Sequence, residues 1–162
     1  MTKIYIVFIG LLLIISTAPD MAGNDSGRDT KETGFAHVSI EEIASEFRKI
    51  RETKGHFDGG AWNDAVDHWM GRKHRLMIEL GSRLSEGEYK KDDIIKLLGQ
   101  PDRIAGKGDD LFKLIIRQQR YESSAADSYE FLVYYWRGKH DFLFFTCKDR
   151  IIVHSGWWYA GE

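Results

Sequence analysis

The 162 residues carry 23 Lys and Arg against 25 Asp and Glu, a near balance that argues against a strongly basic nucleic-acid binder. The length fits one domain of ordinary size and excludes a large α/β-barrel enzyme, and a 13% aromatic content excludes disorder along the whole chain. A single cysteine, Cys147, excludes an internal disulfide and a multi-cysteine metal site.

The chain opens with Lys3 and an apolar run, IYIVFIGLLLII over 4–15. About 12 residues is the length of a signal-peptide core and falls short of the ~20 needed to span a bilayer as a helix. Ser16 and Ala18 offer small residues at the −3 and −1 positions of a cleavage site. Pro19 would then stand at +1, where it hinders cleavage, so a cut after Ala22 or Gly23 is the alternative. The expectation is export, with residues 1–22 as the signal. Uncleaved, residues 4–18 would tether the chain to a membrane. No cysteine follows the run to carry a lipid. Residues 23–37 are polar and glycine-containing and read as a flexible linker, leaving 38–162 as a single α+β domain.

A first helix is predicted from Ser39 to about residue 53. Ser39 and Glu42 form a capping-box pair, and Ile40, Ile43, Ala44, Phe47 and Ile50 recur at helical spacing. A second helix is predicted from Trp62 to Leu84, with Val66, Trp69, Met70, Met77, Leu80 and Leu84 on one side. Gly71 is its weak point, at a cost of about 1 kcal/mol relative to alanine. A third runs over 91–98, with Asp92 and Asp93 in its first turn, Gly99 placed for a left-handed C-terminal cap and Pro101 preventing continuation. Residues 102–128 are ambiguous, and DDLFKLIIRQ at 109–118 suits a helix or a strand.

The last third is β. Tyr129–Trp136, Asp141–Lys148 and Ile151–Trp158 are aromatic and β-branched runs joined by short polar loops, which predicts a three-stranded antiparallel meander. These strands do not alternate apolar with polar. Phe131, Val133 and Tyr135 point one way and Leu132, Tyr134 and Trp136 the other, so both faces need cover. The second and third helices can cover one face. The helix at 39–53, or a partner or ligand from outside, is the candidate for the other.

Candidate chemistry is sparse. His140 and Asp141, near Arg137, would suit an acid/base or ligand-binding cluster, although strand neighbours point to opposite faces. Asp64 with His68, and Asp67 with His74, would share faces of the second helix, but two ligands fall short of the three a catalytic zinc requires. No phosphate-binding glycine loop, GxSxG, HExxH or CxxC is present. No catalytic residue, metal ligand or cofactor site is therefore assigned. Trp136, Trp157, Trp158 and Tyr159 form a dense aromatic set near the strand ends, of the residue types that anchor protein interfaces. Cys147, after Phe145 and Thr146, reads as a buried strand thiol, with an intermolecular disulfide or a reactive thiol as alternatives.

The segment YKKDDIIKLLGQPDRI at 89–104 resembles the signature of the SmpA/OmlA (BamE-like) small outer-membrane protein family, matching at Ile94, Leu98, Gly99 and Pro101. Lys90 stands where that family has a capping threonine, and the family's lipidated cysteine is missing. The resemblance implies helices packed on a three-stranded antiparallel sheet. It also implies a non-enzymatic cell-envelope role through contacts with other envelope proteins. The alternative is a small-ligand binder or hydrolase-type enzyme built on His140, Asp141 and Arg137.

Overall fold

The structure is a computed structural model that describes residues 34–119 and 128–160. The expected signal and most of the linker lie outside the described residues. Among these, no helix is long and apolar enough to cross a membrane.

The architecture is α+β. Helices α1 (Ile40–Ile50), α2 (Arg72–Glu86) and α3 (Lys91–Leu98) precede strand β1 (Arg103–Ala105), helix α4 (Asp110–Gln119) and strands β2 (Tyr129–Arg137), β3 (Asp141–Lys148) and β4 (Ile151–Trp158). The sheet is antiparallel in the order β1-β2-β3-β4, so it has four strands rather than the three predicted. The added strand is only three residues long, too short to leave a periodic pattern. It is held by register with Phe131, Leu132 and Val133 of β2.

Helix α1 starts where the capping box places it. The Glu42 N–H donates to Ser39 Oγ at 3.2 Å, and the Ser39 N–H donates to the Glu42 carboxylate at 3.0 Å. The second predicted helix is shorter than expected. Residues 64–70 form turns and a bend instead, Met70 takes a positive φ of 59°, and the helix begins only after Gly71. A Cβ on Gly71 would lie 2.4 Å from the Asp64 carbonyl oxygen and 2.7 Å from that of His68, so the chain doubles back tightly there. Gly99 ends α3, but with φ 83° and ψ 178° rather than the left-handed helical values expected of its cap. That combination is open almost only to glycine. It turns the Gly99 carbonyl to accept from the Tyr134 hydroxyl at 3.0 Å.

Both faces of the central strands β2 and β3 are buried, and the chain's own helices bury them, while most of β4 is exposed or partly buried. On one face α1, α2 and α3 bring Phe47, Leu76, Leu80, Ile94 and Leu98 against Leu132, Tyr134, Trp136, Leu143 and Phe145. On the other, α4 brings Phe112 and Ile115 against Phe131, Val133, Phe142 and Phe144. The helix at 39–53 is the internal candidate for this second face, with a partner or ligand as the external one. It lies instead with α2 and α3, and the ambiguous segment 109–118 supplies the cover. Full burial of a side chain such as Ile115 stabilises by about 1.5–3 kcal/mol.

Candidate functional site

The sheet end formed by the β2–β3 hairpin gathers most of the unusual chemistry. Tyr135 pairs with Phe142 and Arg137 with Asp141, so Trp136 is the extra residue of a β-bulge. Its indole N–H donates to the Val66 carbonyl at 2.8 Å, and its own carbonyl accepts from Lys73 Nζ at 2.7 Å. The His74 ring stacks on the Trp136 ring at 4.0 Å and 9°. Trp157 meets His74 edge-on at 5.0 Å, and Trp69 and Tyr159 close over the outside, 5.3 Å apart.

His74 is locked as the neutral ring. The Met70 N–H donates to its Nδ1 at 3.1 Å, which places the ring proton on Nε2, 3.2 Å from the Tyr159 hydroxyl. Burial, followed by the nearby Arg137 charge, pushes its pKa down to about 4, with Asp141 opposing.

Arg137 and Asp141 form a buried ion pair. Arg137 Nε donates to Asp141 Oδ2 at 2.9 Å, and the backbone N–H of Ala160 donates to Oδ1 at 3.0 Å. The guanidinium also lies over the rings of Trp136, at 4.2 Å, and Phe57, at 5.0 Å. Both carboxylate oxygens are thus engaged, Oδ2 within the hairpin and Oδ1 in holding the C-terminal segment to it. His140 is exposed, and among the described residues no hydrogen bond joins its ring to Asp141. The pair is not joined as a dyad: His140 lies in the turn before β3, and the Asp141 oxygens are taken by Arg137 and the Ala160 N–H. A cavity of about 530 Å³ sits over this group, lined by Phe57, Trp69, Arg137, His140, Asp141, Tyr159 and Ala160.

Other predicted positions separate. Trp136 is wholly interior, Trp157 packs with the three-helix core, and Trp158 turns to the opposite face, stacked on Phe142 at 6.2 Å. Tyr159, 40% exposed, is the member of that set that presents surface. Ile94 and Leu98 are core residues.

The Asp64/His68 and Asp67/His74 pairs do not share a helical face, because Asp64, Asp67 and His68 precede the helix and only His74 belongs to it. Asp64 accepts from the Trp62 indole at 2.7 Å. Buried Asp67 accepts from the backbone N–H groups of His56 and Asn63. Among the described residues, no group of three or more metal-ligating side chains is assembled. Cys147 is buried, and its thiol pKa is pushed up to about 11 by burial and by the neighbouring Glu130 charge.

Sequence reasoning placed Trp69 on a helix face and overlooked Phe57 and Lys73. Trp69 is 51% exposed because the break at Gly71 swings it out of the helix. The glycine was the available signal. In comparisons with known proteins, no family model, curated protein or solved structure matches the chain.

Proposed function

We propose that this chain is an exported, non-enzymatic cell-envelope domain that acts by holding a protein partner at the hairpin end of its sheet. The observation that carries the proposal is the aromatic rim. Trp69 and Tyr159, 51% and 40% exposed, line the cavity over Arg137 and Asp141, and exposed Trp62 lies beside Phe57 of the same lining. Large exposed aromatic side chains at a concave site are typical interface anchors. The polar groups beneath them are already bonded to one another or to backbone, which supports binding over catalysis. The apolar run at 4–15 supports export, and the 89–104 segment supports a BamE-like envelope role.

The test is capture of partners from native envelope extract by the wild type, Trp69→Ala and Tyr159→Ala, with thermal unfolding of each. Loss of capture at unchanged stability is the expected result. Capture that is unchanged in both variants would overturn the reading.

A further inference from the structure

Phe57 and His140 also border a second, larger hollow of about 700 Å³. Two of its charged residues neutralise each other. Arg51 donates to Asp102 at 2.8 Å and to the carbonyls of Leu98 and Gln100, while the second Asp102 oxygen takes the Tyr135 N–H. The remaining cations differ. Among the described residues, Lys54 and Lys139 have no ion-pair partner, and both are exposed.

Lys73 belongs to the same wall but is only 4% exposed. Its ammonium carries three donors, and among the described residues it makes one hydrogen bond, to the Trp136 carbonyl. Asp58, Asp102 and Arg51, whose charges also act on it, line the same hollow. A buried ammonium without a bonded anion is costly, and here burial lowers its pKa. An anion entering from solution would relieve that cost.

We propose that this hollow binds a small oxyanion, a phosphate or carboxylate group, with Lys73 at its floor and Lys54 and Lys139 at its mouth. The carboxylates of Glu52 and Asp58 share the wall, which disfavours a polyanion and favours a small ligand. The site is independent of the aromatic rim, since it needs neither Trp69 nor Tyr159.

The experiment is isothermal titration of the full chain at low ionic strength with three probes: inorganic phosphate, glycerol phosphate and succinate. Wild type is compared with Lys73→Met and with Lys113→Met, a control on the exposed side of α4. Saturable one-to-one binding of at least one probe is expected. Lys73→Met should weaken it by about tenfold or more and Lys113→Met should leave it unchanged. Tighter binding of glycerol phosphate than of free phosphate would identify a phosphorylated small molecule, tightest binding of succinate a carboxylate, and tightest binding of free phosphate the ion itself.

Should Lys73→Met fail to fold, the Lys54→Gln/Lys139→Gln variant replaces it, with a weakening of about threefold expected from removing two exposed charges. Phosphate should also raise the wild-type melting temperature beyond chloride of equal ionic strength. The proposal is overturned if no probe saturates below about 50 mM, or if the folded lysine variant binds as wild type does.

Discussion

Acidification offers a direct test of how the aromatic cluster is assembled. His74 is held neutral with a pKa near 4, against 6.5 for a free histidine. Between those values the unfolded chain binds a proton that the folded chain refuses, so stability must fall as pH drops from above 6.5 towards 4. The whole shift corresponds to about 3 kcal/mol, and roughly 2 kcal/mol of it is lost between pH 7 and pH 5. The structural cause is specific. A proton on Nδ1 would face the Met70 N–H, two donors in opposition, with the Arg137 guanidinium adding like charge. Asp141 works in the opposite direction but is already paired with Arg137.

Carboxylates such as Glu42 and Glu46, whose pKa values are lowered by the Ser39 hydrogen bonds and by Arg72, also lose stability in acid. The comparison with His74→Gln therefore isolates the histidine. Urea unfolding of both proteins at pH 7 and pH 5 should show the wild type losing about 2 kcal/mol more than the variant. Proton NMR of the wild type should show that the His74 ring does not titrate above pH 5. Equal losses in the two proteins would refute the argument, as would a His74 ring titrating near 6.5.

Three further outcomes follow from the same structure. Gly99→Ala should destabilise by about 1–3 kcal/mol through backbone strain alone, since the nearest atom to an added Cβ is an Arg51 nitrogen at 3.5 Å; chemical unfolding reads it. Asp141→Ala leaves Arg137, itself 15% exposed, without its carboxylate, and should cost about 3–5 kcal/mol and free the C-terminal segment to proteolysis. Cys147 should resist a thiol reagent at pH 8 in the folded protein and react at once in denaturant, because burial and a pKa near 11 keep it protonated and covered. Rapid labelling of the folded protein would contradict its placement in the core.

How much was legible in the residues depended on range. The Ser39/Glu42 cap, the 91–98 helix and the strands beginning at Tyr129, Asp141 and Ile151 all leave local signals, in capping pairs, side-chain patterns and turns, and the structure places them as read. The helix break at Gly71 was half legible. The apolar spacing ran straight through it, while the close approach to the Asp64 and His68 carbonyls depends on a turn that no periodicity encodes. DLFKLIIRQQ satisfies both helical and strand patterns, so only docking on Phe131 and Phe144 decides that it is helix α4. The candidate site suffered most. Phe57, Trp69, Lys73, Arg137 and Tyr159 are spread over a hundred residues of chain and meet only at the hairpin end.

The amino-acid sequence by itself determined that this is an α+β chain with a sheet apolar on both sides, because side-chain period and capping act locally. It also determined that both faces had to be covered, since that much aromatic and aliphatic surface does not remain in water. Which helix covers which face was decided only in three dimensions. So was the gathering of a neutral histidine, a buried lysine and an aromatic rim around one β-bulge. Those outcomes depend on contacts between residues far apart in the chain, where shape and desolvation, rather than spacing, select the partner.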